Sequence, residues 1–340
     1  MNDRLLQEAP PVRWGIVSTA NIGRAKVVPA MLASPWCEVR AIASRNPDSA
    51  RDYARELGIP EAYGSYEELL DAQEIEAVYI PLPNHLHVDM ALAAAAKGKH
   101  VLCEKPIAMN AADAERLLSV PDDVIVAEAF MVRHHPQWRK LRERLRSGEH
   151  GAPRAVQVML SFSLNKQDDF RFKPEFGGGA MYDLGCYAAM TSRYVFEAEP
   201  QRVFCAMERD PANGTDFLAS AILDYGQGRH AGFTVGIRMA AAQHLQIVCE
   251  KSSFELPAAY VPTAGAPAAM FIDTPAGLDE MAPEHRDMPT IDQYDCEVSD
   301  FAKAVRGLQP LAFGIDDAVR QMRVLDALFA SARSESWQTL

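Results

Sequence analysis

The sequence predicts an α/β protein of two domains: a parallel sheet with helices on both faces, followed by an α/β domain with an open, largely antiparallel sheet. The chain has 340 residues, a length typical of two domains. Up to about residue 130, apolar β-branched runs alternate with helical patterns, and beyond it strand-like runs follow one another directly. We therefore expect domains at residues 1–130 and 131–340, and a return of the last helices to the first domain is left open.

The first domain is expected to hold five buried parallel strands. Parallel neighbours need a crossover connection, which the helical patterns between the runs supply. Because both faces of such a sheet are covered, its strands are almost continuously apolar. The predicted strands are Arg13–Ser18, Glu38–Ser44, Ala77–Leu82, His100–Glu104 and Val124–Ala129. The predicted helices between them are Arg51–Leu57, Tyr66–Ala72, Val88–Lys97 and Ala111–Val120.

The second domain is expected to pair consecutive strands across short turns, which favours antiparallel neighbours. Its predicted strands are Ala155–Ser163, Arg202–Met207, Asp216–Tyr225, His230–Arg238 and Gln243–Glu250. Its predicted helices are Gln137–Ser147, a glycine-rich helix at Gly177–Arg193, and the closing pair Gln293–Val305 and Asp316–Ala332. The connection Pro257–Pro289 is long, so part of it is expected to cover a site or an interface.

Composition excludes several classes of partner. The chain carries 34 basic and 46 acidic side chains, a formal net charge of −12, so attraction to nucleic acid or to an anionic membrane is unfavourable. The six cysteines lack zinc-finger spacing, which favours reduced thiols. The uncharged stretch Leu256–Ile272 contains prolines and is expected to be a loop rather than a membrane helix. Because the first residues carry no apolar leader, we expect a cytoplasmic location.

The first predicted strand runs directly into a turn of small residues. The dinucleotide pattern G-x-G-x-x-G appears there as Ser18-x-Ala20-x-x-Gly23, at the start of a helix. Small residues let the backbone approach a pyrophosphate, and a helix N-terminus favours its negative charge. A tight turn that binds nothing is the alternative. The candidate cofactor contacts are Ser18, Thr19, Ala20, Asn21 and Ile22.

The second predicted strand ends at Ser44 and Arg45, where an NAD site commonly has Asp or Glu. A hydroxyl and a guanidinium instead suit the 2′-phosphate of NADP, because Arg can donate two charge-assisted hydrogen bonds. NADP is therefore the predicted cofactor, with NAD as the second choice. An arginine that is exposed at the start of a loop without a ligand is the alternative.

A lysine follows the predicted strand His100–Glu104, in the triplet Glu104-Lys105-Pro106. Ligands of open α/β sheets lie beyond the carboxyl ends of the strands, so Lys105 is expected near the nicotinamide. A surface lysine beside a turn-forming proline is the alternative.

Five motifs resemble those of the family that includes glucose-fructose oxidoreductase, inositol dehydrogenase and MocA. The similarity covers nearly the whole chain and is greatest to the branch with D-xylose dehydrogenase and dimeric dihydrodiol dehydrogenase. The motifs are Ile16–Arg24, Pro83–His87, Glu104–Pro106, Met131–Pro136 and Gly177–Tyr187.

The resemblance implies an NAD(P)-binding Rossmann domain, a C-terminal α/β domain with an open sheet, and a lysine at position Lys105 that takes part in catalysis. It implies oxidoreductase activity on a small polyhydroxylated substrate such as a sugar, cyclic polyol or dihydrodiol. It also implies pairing through the C-terminal sheet, so a homodimer or larger homo-oligomer is expected. Further cofactor contacts are expected at Leu82, Pro83, Asn84, His87 and Glu104.

Asp183 and Tyr187 are four residues apart in the predicted glycine-rich helix and so share one face. Tyr187 is expected to take the hydroxyl proton in oxidation, while hydride passes to the nicotinamide. A phenol has a pKa of about 10, and the ammonium of Lys105 would lower it. Asp183 would bind a neighbouring substrate hydroxyl. Two alternatives stay open: Lys105 is the direct proton carrier, or Tyr187 is an ordinary residue of the helix without a catalytic role. Much of the family has His at the position of Tyr187.

Three further residues are expected near the substrate. Arg133 and His135 are predicted to line the domain cleft, and Arg171 to meet a polar substrate or to form a surface salt bridge. A metal ion is not expected, because no Glu-x-x-His or carboxylate cluster accompanies His87, His134 and His135.

Two other functions stand as alternatives. One is an NAD(P)-sensing regulator without chemistry, since folds of this kind also host regulators. The presence of Lys105, Asp183 and Tyr187 together argues against it. The other is a glycosidase of the same family that uses tightly held NAD. The Ser44-Arg45 pair disfavours this, because a preference for NADP suits a cofactor that exchanges.

Overall fold

The structure is a computed structural model that describes residues 9–164, 169–263, 265–275 and 277–340. They form two compact units. The first unit takes the chain up to His134 together with Asp292–Val319. The second takes His135–Ile291 together with Arg320–Leu340.

Nine α-helices occur in the described residues, and two of them continue from a π turn. The helices are α1 (Val28–Ala33), α2 (Pro47–Leu57), α3 (Tyr66–Asp71), α4 (His87–Ala96), α5 (Ala111–Glu115), α6 (Pro136–Arg146), α7 (Cys186–Phe196), α8 (Gln293–Val305) and α9 (Ile315–Ser334). The π turns are Gly23–Val27 before α1 and Met181–Gly185 before α7.

The first unit contains a six-stranded, all-parallel sheet, which confirms the predicted fold class. Its strands are β1 (Val12–Val17), β2 (Cys37–Ala43), β3 (Glu61–Tyr63), β4 (Ala77–Ile80), β5 (His100–Glu104) and β6 (Val126–Ala129). The strand order β3-β2-β1-β4-β5-β6 is that of a dinucleotide-binding sheet. Strands up to β3 are added on one side of β1 and strands from β4 onwards on the other, so the strand order reverses between β1 and β4. The sequence analysis missed β3, because three residues carry no recognisable period.

Side-chain caps decide where the helices of this unit begin. The Asn46 side chain accepts the N–H groups of Asp48 and Ser49, so α2 starts four residues before its predicted start at Arg51. The same helix ends at Gly58, whose φ of +70° is the left-handed conformation that glycine adopts without strain.

The closing helix α8 belongs to the core of the first unit. Val298, Phe301 and Ala302 are buried in one cluster with the strand residues around Trp14. The rings of Trp14 and Phe301 lie 5.3 Å apart between centroids, and both are almost fully buried. A segment almost 290 residues from β1 therefore completes its packing.

The second unit contains a nine-stranded mixed sheet. Its strands are β7 (Pro153–Ser163), β8 (Arg202–Arg209), β9 (Asp216–Asp224), β10 (His230–Gly236), β11 (Arg238–Cys249), β12 (Ser253–Leu256), β13 (Ala269–Asp273), β14 (Glu284–Asp287) and β15 (Gln338–Thr339). Their order is β14-β13-β12-β11-β7-β10-β9-β8-β15, and β7 with β10 is the one parallel pair among these neighbours. The largely antiparallel sheet is thus confirmed.

Two predicted segments differ from the structure. The chain turns between Gly236 and Arg238, so Arg238 begins β11 instead of ending the preceding strand. The stretch Leu256–Ile272, predicted to be a loop, has strand residues at both ends because β12 and β13 pair there. Within the described ranges, no helix combines the length and apolar character needed to span a bilayer.

Helix α7 is buried along its whole length. Its Ser192 hydroxyl hydrogen-bonds Tyr225 at 2.6 Å, and Phe196 packs on the same ring, which follows β9. These contacts therefore hold the helix against the sheet of its own unit.

Replacing Phe301 by Ala should reduce the free energy of unfolding by about 3–5 kcal/mol, because it opens a cavity beside Trp14. Urea denaturation followed by tryptophan fluorescence measures the loss. The exposed Leu118 of the same unit provides the matched control, and Leu118→Ala should change stability by no more than about 0.5 kcal/mol. Equal effects of the two substitutions would mean that α8 does not complete this core.

Candidate active site

The turn after β1 has the backbone of a phosphate-binding loop. Ser18 adopts a φ of +98°, a conformation that favours glycine, and its Oγ accepts the N–H of Ala20 at 3.3 Å. Gly23 lies where a Cβ would approach Tyr53 Oη to 3.2 Å, so the helix can pack closely on its neighbours. These are the turn and packing roles of the first and third glycines in the dinucleotide pattern. Helical backbone begins at Asn21, which is exposed.

The end of β2 presents a hydroxyl and an exposed guanidinium. Ser44 is buried, and its Oγ accepts the N–H of Asn46 at 3.2 Å. Arg45 is exposed and hydrogen-bonds the Tyr66 hydroxyl. Burial raises the pKa of Tyr66, and the charge of Arg45 opposes that rise. The Arg45 fork therefore lies at the carboxyl edge of the sheet, the side on which such sheets bind nucleotides.

Buried side chains hold the loop that carries Lys105 on both sides. The Tyr79 hydroxyl donates to Glu104 Oε1 at 2.6 Å, and the Lys105 N–H approaches Glu104 Oε2 at 3.4 Å. One residue beyond the Lys105–Pro106 peptide, the N–H of Ile107 donates to Glu128 Oε1 at 2.9 Å. The backbone of Lys105 is therefore fixed while its side chain is half-buried.

His87 joins this loop to the one after β4. It is fully buried, with Nδ1 2.8 Å from the carbonyl oxygen of Pro106 and Nε2 2.7 Å from that of Leu82. Burial lowers the pKa of His87 from 6.5 to about 4, although both carbonyls favour the charged ring. A neutral imidazole has a single N–H and donates to one of the two oxygens at a time. His87 therefore holds the loop backbone rather than presenting a nitrogen to solvent.

A second buried carboxyl lies near Glu104. Glu297 of α8 is 1% exposed, and among the described residues no hydrogen-bond partner reaches its Oε1. Burial, followed by the charges of Glu104 and Asp300, raises the pKa of Glu297 well above its ordinary value of 4.5. Burial, followed by the charges of Glu104 and Glu297, raises the pKa of Tyr79 well above its ordinary value. The interior behind the Lys105 loop is therefore acidic.

In the second unit, each of the three consecutive glycines is favoured at its position for a different physical reason. Gly177 ends a short 3-10 turn with a φ of +77°. A Cβ on Gly178 would lie 2.6 Å from the carbonyl oxygen of Arg171, so that backbone can approach closely. Gly179 has a φ of +117°, and a Cβ there would overlap the carboxylate of Asp216. The triplet thus fits a chain that is crowded on two sides before it enters the helix.

The helix after this triplet carries Asp183 in its π turn and Tyr187 in α7. π turns occur frequently at functional sites. Asp183 Oδ2 accepts a hydrogen bond from Arg171 Nε at 2.7 Å, and the Arg171 guanidinium also pairs with Asp169 at 3.2 Å. Arg171 therefore forms the salt bridge that the sequence analysis held as an alternative to a substrate contact.

Tyr187 is 7% exposed and packs against a second tyrosine. Its ring meets that of Tyr260 edge-on at 5.8 Å between centroids. The Thr191 hydroxyl donates to the Tyr187 carbonyl at 2.8 Å, so it accepts the hydrogen bond of the Tyr260 hydroxyl at 2.9 Å. Tyr260 belongs to the long connection Pro257–Pro289, part of which therefore packs beside a candidate residue.

Two residues predicted to contact substrate have partners within the protein. Arg133 is 5% exposed, pairs with Asp317 at 2.7 Å and lies over the rings of Phe130 and Phe313. His135 is 1% exposed, and its Nδ1 accepts the N–H of Gln137 as the N-cap of α6.

The candidate histidines do not gather around a metal. His134 Nδ1 lies 2.6 Å from Asp300 Oδ2. Throughout the described part of the chain, no group of three or more His, Cys, Asp or Glu side chains is arranged to hold a metal ion.

The structure brings some predicted residues together and also reveals others. It places Asp183 beside Arg171 in the second unit, and Lys105 on a held loop in the first. The meeting of Lys105 with Tyr187 stays a prediction. Glu128 and Asp216 were missed because their bonds join positions 21 and 35 residues apart, which leaves no local signal.

Comparison with known proteins identifies the family. Residues 12–123 match the model of an oxidoreductase family with an NAD-binding Rossmann fold, and residues 138–255 match the GFO/IDH/MocA C-terminal domain. The chain belongs to the GFO/IDH/MocA family. It is therefore an NAD(P)-dependent dehydrogenase or reductase, as the sequence predicts.

Three members of this family illustrate the similarity. An NADP-dependent D-xylose 1-dehydrogenase from Haloferax volcanii is 37% identical over 94% of this chain and 97% of its own. A trans-1,2-dihydrobenzene-1,2-diol dehydrogenase from Xenopus tropicalis is 32% identical over 72% of this chain and 75% of its own. A solved 3-ketoreductase from Actinomadura kijaniata, in complex with NADP and TDP-benzene, is 29% identical with a TM-score of 0.87, covering 94% of this chain and 98% of that one.

Replacing Glu297 by Gln should stabilise the protein increasingly as pH rises. The folded-state pKa of Glu297 is raised, so above about pH 4.5 the unfolded chain releases a proton that the folded chain keeps, and the wild type loses stability. Gln has no such proton. Above about pH 5 the difference between the two proteins should grow with pH by up to about 1.4 kcal/mol per pH unit, until Glu297 ionises in the folded protein.

Urea denaturation at several pH values measures this difference. The exposed Glu67→Gln in the same unit is the matched control, for which a constant difference is expected. A Glu297→Gln curve that runs parallel to the wild type over the whole range would show that Glu297 is ionised in the folded protein.

Proposed function

We propose that this protein transfers a hydride between the nicotinamide of NADP and a hydroxyl-bearing carbon of a sugar, cyclic polyol or dihydrodiol. The fixed Lys105 loop at the carboxyl end of β5 carries the proposal, because ligands of such sheets bind on that side. The relatives named as a D-xylose dehydrogenase, a dihydrodiol dehydrogenase and a 3-ketoreductase support the substrate class and NADP.

The residues of the first unit fit a dinucleotide. The strained Ser18 and the close packing at Gly23 give the turn Ser18–Ile22 the shape that admits a pyrophosphate at a helix N-terminus. Ser44 and the exposed Arg45 would hold a 2′-phosphate, which is the reason to prefer NADP over NAD. Leu82–Asn84 and Glu104 border the nicotinamide end. His87 holds the backbone of the two loops through the carbonyl oxygens of Leu82 and Pro106. When bound, the nicotinamide supplies the hydride acceptor or donor.

Lys105 and Tyr187 together carry out the proton transfer in this proposal. The Tyr187 hydroxyl takes the proton of the substrate hydroxyl during oxidation and returns it during reduction. The positive charge of Lys105 favours the phenolate that this step requires. The alternative division, in which Lys105 carries the proton and Tyr187 orients the substrate, uses the same two side chains.

Asp183 selects the substrate carbon that reacts. Its carboxylate accepts a hydrogen bond from a neighbouring substrate hydroxyl, and Arg171 holds that carboxylate in one orientation at 2.7 Å. Arg171 thus acts through Asp183. Arg133 and His135 take structural roles in this proposal, because Arg133 pairs with Asp317 and His135 accepts a backbone N–H.

The outer face of the nine-stranded sheet fits a homo-oligomer contact. Ile222 and Val248 are 47% and 41% exposed, although both lie in regular strands. Ile222 pairs with Phe204 across β8 and β9, and together they border a shallow groove of about 490 Å³. An exposed apolar sheet face of this kind marks an interaction surface.

Replacing Lys105 by Met should lower turnover by at least about 10²-fold, the usual contribution of a positioned acid–base group. NADP affinity should be nearly unchanged. Turnover is measured as the reduced-nicotinamide absorbance with NADP and a panel of pentoses, hexoses and cyclic diols, and affinity by fluorescence titration. Lys97→Met, at an exposed lysine of the same unit, should behave as the wild type. A wild type that is inactive on the whole panel refutes the proposed function, and a fully active Lys105→Met refutes the mechanism.

Replacing Arg45 by Ala should weaken NADP binding by about tenfold or more, because charge-assisted hydrogen bonds to the 2′-phosphate are lost. NAD binding should change by less than about twofold, since NAD lacks that phosphate. Isothermal titration with both cofactors gives the two affinities. The exposed Arg55→Ala on α2 controls for the loss of a positive charge. Equal weakening of NAD and NADP would contradict the assignment of Arg45.

A further inference from the structure

A buried carboxylate outside the predicted site touches the start of the helix that carries Asp183 and Tyr187. Asp216, the first residue of β9, is 1% exposed. Its Oδ2 accepts the N–H of Met181 at 2.6 Å, and the N–H of Ala180 also hydrogen-bonds to this carboxylate. A Cβ on Gly179 would overlap its Oδ1. Three consecutive backbone residues therefore pack against one side chain.

These contacts amount to an N-cap that comes from another element. The first N–H groups of a helix have no partners within it, and a buried helix start must find acceptors elsewhere. The residue that precedes the helix here is Gly179, which has no side chain to supply one. Its φ of +117° and the space that Asp216 occupies both require glycine. The helix is therefore capped by a side chain from β9 and not by the residue that precedes it in the sequence.

Electrostatics favours the same arrangement. A carboxylate at a helix N-terminus interacts favourably with the helix dipole. Burial raises the pKa of Asp216, while the N–H groups of Met181 and Ala180 and the charge of Arg209 lower it. The contacts with the helix start thus offset part of the cost of burying the Asp216 carboxylate.

The position of Asp216 ties this helix to a fixed part of the sheet. Strand β9 is hydrogen-bonded on both sides, to β8 and to β10. Asp183 and Tyr187 follow Met181 by two and six residues, within the first two turns of the helix. A shift or rotation of the helix start would displace both side chains.

We propose that Asp216 is a positioning residue: by capping the helix at Ala180 and Met181 from β9, it sets where Asp183 and Tyr187 present their oxygens to the substrate. The proposal rests on the proposed function, because it assigns Asp216 no contact with substrate or cofactor. It also gives a reason for glycine at the third position of the triplet, where a Cβ would overlap Asp216.

The test is a double-mutant cycle between Asp216→Asn and Tyr187→Phe. Asn keeps one oxygen that can accept an N–H but lacks the negative charge, so the helix start is loosened rather than lost. Asp216→Asn alone should lower kcat by about tenfold to a hundredfold, the range expected when a reacting group is displaced. In the Tyr187→Phe background the same substitution should lower kcat by a clearly smaller factor, because one of the two groups that it positions is gone.

Cofactor affinity and a matched control separate positioning from general destabilisation. NADP affinity should be the same in Asp216→Asn and the wild type. Asp224 lies at the other end of β9 and also accepts a backbone N–H, from Gly226 at 2.8 Å. Asp224→Asn should therefore leave kcat, KM and NADP affinity unchanged. Where Asp216→Asn does not yield folded protein by circular dichroism, Asp216→Glu, which keeps the charge, takes its place in the cycle with the same expectation.

The outcomes are distinguishable. A kcat of Tyr187→Phe equal to that of the wild type overturns the proposed function of Tyr187, and with it the inference that Asp216 positions this residue for the reaction. When Tyr187→Phe is impaired, an Asp216 variant with wild-type kcat overturns the inference. The inference also fails if the Asp216 variant lowers kcat by the same factor in both backgrounds, since this would be a structural effect only.

Discussion

Hydrogen bonds from buried side chains to backbone groups are the interactions on which both candidate segments depend. In the first unit, His87, Glu128 and the Tyr79–Glu104 pair hold the loop on either side of Lys105. In the second unit, Asp216 holds the backbone at Met181. A buried polar group without a partner is costly, so each of these bonds resists displacement of the loop or helix that it joins. Lys105 can therefore stay half-buried while its backbone is fixed.

The acidic interior behind the Lys105 loop has an electrostatic consequence. Two carboxyls, Glu104 and Glu297, share this region, and like charges in a buried site cannot both ionise without a large cost. Burial and the charges of Glu104 and Asp300 raise the pKa of Glu297. Glu104, by contrast, accepts hydrogen bonds from the Tyr79 hydroxyl and from the Lys105 N–H. It directly precedes the lysine that the proposed reaction uses.

Local patterns were sufficient for much of the fold and for part of the candidate site. The alternation of apolar runs and helices predicted the parallel sheet, and the degraded glycine pattern predicted the turn whose Ser18 adopts a φ of +98°. The triplet before α7 was recognised as a close-approach segment, although its crowding by Asp216 was not. A sequence does not show the ion pair of Arg133 with Asp317 or the N–H of Gln137 that His135 accepts, and a substrate contact of these two residues stays a prediction.

The sequence by itself predicted most of the elements and their order, and it indicated Lys105, Asp183 and Tyr187 as candidate reacting groups. These properties follow from periods of two and 3.6 residues and from the residue types in short motifs. Only the tertiary structure decided that α8 completes the first core, that Arg171 binds Asp183, and that Asp216 caps the helix start. The physical reason is that each of these contacts joins residues that no local period relates, so their pairing arises when the strands and helices pack.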